Sequence, residues 1–193
     1  MSSTYRIRVY AYCVDTQDEE EDEGDEEGEA QLAELPEGLR ELAGEVRELV
    51  VRSSRLAVVP GWVGELTRLE ALEVSVDVYY TIHNCYQEPK LRAQVAVNTL
   101  PASLGQLGSL KQLTLARLGG LEVLPDALVR LTSLSRLTIG YCGKLRALPR
   151  GIGKLGALKQ LTVRSTRLAV VPVWVGELTR LEALEIKIGR AHV

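Results

Sequence analysis

The sequence predicts an α/β solenoid, with parallel strands on a concave face and short helical turns on a convex face. Two observations carry the prediction. A Leu-Pro or Val-Pro dipeptide recurs at Leu35-Pro36, Val59-Pro60, Leu100-Pro101, Leu124-Pro125, Leu148-Pro149 and Val171-Pro172, in steps of 24, 41, 24, 24 and 23 residues. Between these dipeptides the apolar period switches from about 3.6 to 2, as it does where a helical turn gives way to a half-buried strand.

The unit LPASLGQLGSLKQLTL shows the grammar. Leu100, Leu104, Leu107 and Leu110 fall at three- and four-residue steps, on one face of a short helical turn. Proline stands at the start, where its missing N–H costs no hydrogen bond. Leu113 and Leu115 then alternate with Gln112, Thr114 and Ala116, a strand with one buried face. The next units repeat it with Leu128, Leu131, Leu134, Leu137 and Ile139, then Ile152, Leu155, Leu158, Leu161 and Val163. One unit cannot bury its own apolar face, but stacked units can, with their strands joined in one parallel sheet.

The strand residues that alternate with the buried ones line the concave surface. The register reads Glu48, Val50, Arg52; Ala71, Glu73, Ser75; Gln112, Thr114, Ala116; Arg136, Thr138, Gly140; Gln160, Thr162, Arg164; Ala183 and Glu185. Arg117 and Tyr141 sit just beyond their strands. The partner-binding candidates are Arg52, Glu73, Gln112, Thr114, Arg117, Arg136, Thr138, Tyr141, Gln160, Thr162 and Arg164. Arg52, Arg136, Arg164 and Tyr141 lead, because Arg and Tyr are enriched among residues that carry binding energy. A hydrated sheet face is the competing reading, and a stacked ladder of Thr114, Thr138 and Thr162 suits a sheet structurally. Trp62 and Trp174 occupy matching places early in the turns, where other units have Ser103, Ala127 and Gly151, and are expected to cover repeat junctions.

From Leu35 to Ile186 these residues resemble the leucine-rich-repeat family and its LxxLxLxx(N/C)xL core, shared by at least five units. The family's Asn/Cys position holds Ser54, Leu118, Cys142 and Thr166. Ser, Thr and Cys can bond loop backbone groups; at Leu118 the loop has to satisfy its backbone otherwise. LTIGYCGKLRALPRGIGKLGALKQL, PGWVGELTRLEAL and PVWVGELTRLEAL further resemble the repeats of plant-type nucleotide-binding immune receptors. That resemblance implies the ligand-recognition repeat region of a larger intracellular immune-type receptor. The Gly-rich Lys-Ser/Thr phosphate loop of such receptors does not occur in these 193 residues. The alternative is a free-standing structural adaptor of a signalling or ligase complex.

Composition fits a globular protein: 46% hydrophobic, 25% charged and no Phe. The formal net charge of −3 conceals an asymmetry. Between Asp15 and Glu29 stand 11 acidic residues and no Lys or Arg; setting them aside leaves +8 on the rest. The basic residues are spread through the repeats without a nucleic-acid-binding motif, so a solvated basic surface is expected and no nucleic-acid partner. Cys13, Cys85 and Cys142 form no paired spacing, which suits a reducing compartment. Arg6 and Arg8 interrupt the apolar stretch near the N-terminus, which argues against a secretory signal. No stretch has membrane-span length. A cytoplasmic location and a protein partner are expected.

The chain divides into residues 1–14, an additional repeat strand; 15–30, an acidic disordered loop; 31–186, the solenoid, with an insertion at about 76–98; and 187–193, a tail. The acidic run is expected to serve solubility; a sharper alternative has it fold back on the basic units and compete with an acidic partner. The insertion carries Tyr79, Tyr80, His83, Cys85 and Tyr86, and is either a contact loop or a loop without a role. Residues 49–74 and 161–186 are near copies, identical at 22 of 26 positions, as unit duplication produces. The ending Ile188-Gly189-Arg190-Ala191-His192-Val193 matches one reading frame of a common sequencing adapter, so the authentic repeat is expected to end near Ile186.

No catalytic constellation emerges. His83 near Cys85 lacks an orienting carboxylate, and a bystander Cys is the expected reading. Spaced metal ligands are missing. Glu65, Glu70 and Glu73 recur as Glu177, Glu182 and Glu185 and so belong to the repeat. The expectation is a protein that is not an enzyme and uses no metal or cofactor.

Overall fold

Among the described residues, seven parallel strands join in one sheet, each beside its sequence neighbour. They are β1 (Tyr5–Ala11), β2 (Val46–Ser53), β3 (Ala71–Ser75), β4 (Gln112–Ala116), β5 (Arg136–Gly140), β6 (Gln160–Thr166) and β7 (Ala183–Ile188). The structure is a computed structural model that describes residues 5–11, 35–53, 56–76 and 97–188. The acidic run, most of the 76–98 insertion, Ser54 and residues 189–193 lie outside the described residues. Strand β7 includes Lys187 and Ile188, the start of the segment read as a tail.

Parallel neighbours require a crossover, and among the described residues each crossover carries a 3-10 turn that follows a proline. The turns are Glu37–Leu42, Gly61–Glu65, Ala102–Gln106, Asp126–Arg130, Arg150–Lys154 and Val173–Glu177. The helical period expected from sequence tightens to three residues. The Leu104 amide donates to the Pro101 carbonyl at 3.1 Å, and the Leu107 amide to the Leu104 carbonyl at 3.2 Å. A turn of five residues has no room for an extended ladder of i to i+4 bonds, and the shorter bond closes it.

The core lies between sheet and turns. Leu72, Leu113, Leu137 and Leu161 stand in register across β3 to β6, as do Val74, Leu115, Ile139 and Val163 one step on. All eight are buried. Burying each such side chain contributes about 1.5–3 kcal/mol, and the contacts are nearly identical from unit to unit. Just before β4, β5 and β6, one carbonyl accepts two amides of the next unit. Lys111 and Gln112 donate to Glu70, Ser135 and Arg136 to Lys111, and Lys159 and Gln160 to Ser135. The stack is unbroken across the insertion, since β3 and β4 keep the register of the other pairs.

Adjacent turns interlock through a size rule. The fourth residue of one turn faces the second residue of the next. A Cβ on Gly64 would lie 2.3 Å from the Ser103 carbonyl oxygen, and one on Gly105 would lie 2.4 Å from that of Ala127. In the next pair the sizes reverse: Val129 is the larger member, and a Cβ on Gly151 would lie 2.2 Å from its Cγ1. Gly153 then receives Trp174, whose Cβ would stand 2.9 Å away. One member of each of these pairs is glycine, so the turns approach more closely than two side chains permit. Trp174 is buried in that junction, and Trp62 packs partly buried against the core.

The duplicated segments differ in how they are covered. Leu72 is 2% exposed and its duplicate Leu184 is 46% exposed. Gly176, the duplicate of Gly64, has nothing within 4 Å of its Cβ position. Near-identical sequence thus gives the same local fold with different burial, because burial is supplied by the following unit.

Candidate partner-binding face

The strand side chains that alternate with the core form three rows across the sheet. The first is Glu48, Ala71, Gln112, Arg136, Gln160 and Ala183. The second is Val50, Glu73, Thr114, Thr138, Thr162 and Glu185. The third is Arg52, Ser75, Ala116, Gly140 and Arg164. Thr114, Thr138 and Thr162 are direct neighbours, so the threonine ladder is present.

The arginines on this face differ in their partners. Arg52 Nε stands 2.9 Å from Glu73 Oε1 on the neighbouring strand. In the duplicate, Arg164 grips Glu185 through two nitrogens, with Nε 2.7 Å from Oε1. Arg6 pairs with Glu48 at 3.1 Å. Arg136 instead lies between two amides, with Nε donating to Gln160 Oε1 at 2.6 Å and Nη1 to Gln112 Oε1 at 3.3 Å. Among the described residues no carboxylate pairs with Arg136 or Arg117. By residue type alone Arg52, Arg136 and Arg164 rank alike. The strand register places Glu73 near Arg52 and Glu185 near Arg164, and that is the signal that separates them.

Arg117 and Tyr141 follow β4 and β5 directly, and both have left-handed backbones, with φ of 59° and 57°. Such a conformation costs a residue with a Cβ on the order of 1–2 kcal/mol. The backbone ladder holds it: the Arg117 amide donates to the Gly140 carbonyl at 2.8 Å and the Tyr141 amide to the Arg164 carbonyl at 3.0 Å. The Arg117 guanidinium lies 5.7 Å from the centre of the Tyr141 ring, and Tyr141 is 60% exposed. Nothing in the sequence marks these two positions as left-handed, since neither Gly nor Asn occupies them.

The positions that follow show how the loops are satisfied. Leu118 is buried, and its loop closes on itself, Gly119 N–H to the Arg117 carbonyl at 3.0 Å and Leu121 N–H to the Leu118 carbonyl at 3.1 Å. Cys142 points its thiol at the Gly140 carbonyl, 3.5 Å away, and burial pushes that thiol above its ordinary pKa. Thr166 Oγ1 accepts from the Leu168 amide at 3.4 Å.

Two carboxylates show their pairing in their acidity. A hydrogen bond from Lys111 holds Glu70 below the ordinary glutamate pKa, and one from Arg164 does the same for Glu185. A carboxylate with a lowered folded-state pKa contributes stability above its unfolded pKa and loses it as pH falls through the folded value. We therefore expect both side chains to titrate below the ordinary glutamate pKa in a carboxyl-detected NMR titration. Arg164→Gln should move Glu185 up while leaving Glu70 unchanged, and Lys111→Gln should do the reverse.

Among the described residues, no three His, Cys, Asp or Glu side chains converge as a metal site, and no helix is long and apolar enough to cross a membrane. What the face offers is fixed polar and aromatic side chains on a rigid sheet.

Comparison with known proteins bears on the fold. No curated protein matches the chain in sequence. Among solved structures, the leucine-rich repeat domain of the type III effector XopL aligns with a TM-score of 0.52 and 20% identity, over 80% of this chain and 57% of that domain. A leucine-rich-repeat protein of Leptospira interrogans aligns at 0.39 and 22% identity, over 79% of this chain and 46% of that one. The PEPR1–AtPEP1 structure aligns at 0.46 and 18% identity, over 79% of this chain and 22% of that one. The chain thus spans well under two thirds of each. Residues 90–192, more than half of the chain, match the model of the leucine-rich repeat region. With its seven-stranded parallel sheet, its proline-started 3-10 turns and this match, the chain belongs to the leucine-rich-repeat family.

Proposed function

We propose that the chain is a non-catalytic recognition module that binds a protein partner on its strand face, as part of a larger intracellular immune-type receptor. Leucine-rich-repeat domains typically scaffold protein–protein interactions. The observation that carries the reading here is the common register of β2 to β7, which sets polar and charged side chains in rows. A rigid sheet loses little conformational entropy on binding, so the side chains it presents are pre-organised contacts. Arg52, Glu73, Gln112, Thr114, Arg117, Arg136, Thr138, Tyr141, Gln160, Thr162 and Arg164 are the proposed contacts. Support for the receptor assignment, with defence signalling as its output, comes from the stretch between Leu137 and Leu161 and from the duplicated turns. These resemble repeats of plant-type nucleotide-binding receptors.

The binding face is tested by selecting binders to the chain from a displayed library of folded domains and measuring their affinity for variants. Thr138→Arg places a bulky charge at the centre of the sheet and should weaken the selected binders at least tenfold. Lys154→Glu, on a convex turn, should leave them within twofold. The reverse pattern would contradict the reading. The receptor assignment is tested at the gene: a phosphate-binding loop encoded upstream in the same frame supports it, and a frame without one favours a free-standing adaptor.

A further inference from the structure

Three features of the face converge between β4 and β5. The third row carries small residues at its centre, Ser75, Ala116 and Gly140, flanked by Arg52 and Arg164. A Cβ on Gly140 would meet no heavy atom within 4 Å, so the floor has room for a contact at Gly140, although the glycine backbone itself is buried. At the floor's edge stand Arg117 and Tyr141, with the guanidinium 5.7 Å from the ring centre and both residues in left-handed backbone. Bulky residues in that conformation persist only where the surroundings impose it, and such positions cluster at ligand-binding sites.

Charge selects the occupant. Arg52 and Arg164 are neutralised by Glu73 and Glu185, but Arg117 and Arg136 have no carboxylate among the described residues. Arg136 is fixed by Gln112 and Gln160, which orient a guanidinium without cancelling its charge. The uncompensated charges lie just past the end of β4, at Arg117, and at the start of β5, at Arg136, the two strands that contribute Ala116 and Gly140. A planar guanidinium held in this way is suited to a carboxylate.

We propose that the surface formed by Ala116, Gly140, Arg117, Tyr141 and Arg136 is a subsite for an acidic, extended polypeptide segment. The segment's backbone crosses the floor at Ala116 and Gly140. One carboxylate meets Arg117 beside the Tyr141 ring, and another meets Arg136. This deepens the reading of the strand face as the recognition face and rests on it.

The test uses the full chain and a fluorescein-labelled dodecapeptide of alternating Glu and Ser, with a Gln–Ser peptide as its uncharged counterpart, read by fluorescence anisotropy at physiological salt. The Glu peptide should bind at least tenfold more tightly than the Gln peptide. Arg136→Gln and Arg117→Gly should each weaken it at least fivefold, while Lys154→Gln, on a turn away from the strand face, changes it less than twofold. Arg117→Gly and Tyr141→Gly should also raise the thermal midpoint, because glycine adopts positive φ without penalty, so lost binding cannot be ascribed to unfolding.

Glu-peptide binding that is indifferent to Arg117→Gly and Arg136→Gln overturns the subsite. So does competition by inorganic phosphate or a single-stranded oligonucleotide at the peptide's own concentration, which would mark a general anion site. If selected protein binders depend on Thr138 but the Glu and Gln peptides bind alike, the strand face stands as the recognition face and only the acidic specificity falls. If selected binders and Glu peptide alike depend on the convex residue Lys154, both readings fall.

Discussion

Leu72→Ala should lower the unfolding free energy by about 2–5 kcal/mol, and Leu184→Ala by about 1 kcal/mol or less. The two leucines occupy the same place in near-identical segments, so local propensity and sequence context are matched by the protein itself. What differs is the neighbour. Leu72 is covered by the unit that contributes Leu113, whereas nearly half of the Leu184 surface meets solvent. Removing a side chain from a filled layer loses both its transfer free energy and the packing of the cavity walls; a half-exposed site retains water contacts and leaves no closed cavity. Urea titration of the two variants beside the parent chain checks this. Equal losses would mean that the strand layers are not closed by stacking.

The turns give the second contrast, with the sign itself at stake. Gly64→Ala places a methyl group 2.3 Å from the Ser103 carbonyl oxygen, which belongs to backbone and cannot rotate away. Separating the turns to admit it should cost about 1–3 kcal/mol, as overpacking of a close-packed interface does. Gly176→Ala meets nothing within 4 Å, so the same substitution in the duplicate should be neutral or stabilise by up to about 1 kcal/mol, through the reduced freedom of the unfolded chain. Thermal unfolding of the pair decides: a lower midpoint for Gly64→Ala and an unchanged or higher one for Gly176→Ala. The close approach also bears on function, because it sets the angle between successive units and hence the curvature of the face they present.

The sheet register was legible in the sequence because two short-range periods and one recurring dipeptide fix it. Pro101, Pro125 and Pro149 mark each turn, and the alternation from Gln112 to Ala116 assigns each strand residue to a face. The 3-10 geometry was less legible, because a leucine pattern at three- and four-residue steps fits either helix type over one turn. The pairing rule between turns is visible in the letters once the turns are aligned. It needs two units read together: Val129 looks like an irregularity until Gly151 is set beside it.

The site divides in the same way. Its membership follows from the register, but the state of each side chain depends on cross-strand neighbours. Arg52 and Arg136 look alike in sequence; one faces Glu73, and the other is held between Gln112 and Gln160. The left-handed backbones of Arg117 and Tyr141 carry no residue signature, since the strand-to-loop junction imposes them through the Gly140 and Arg164 carbonyls. Position along a strand is a local property that one repeat reveals. Charge compensation and backbone strain emerge only when repeats are stacked.

Recognition on the strand face would leave a footprint of a selected protein binder on the isotopically labelled chain, mapped by backbone amide and Thr-methyl NMR. The perturbations should centre on Thr114, Thr138 and Thr162 and extend to Arg117 and Tyr141, with the turns at Ala102–Gln106, Asp126–Arg130 and Arg150–Lys154 unperturbed. A footprint on those turns with the threonine ladder silent would contradict strand-face recognition.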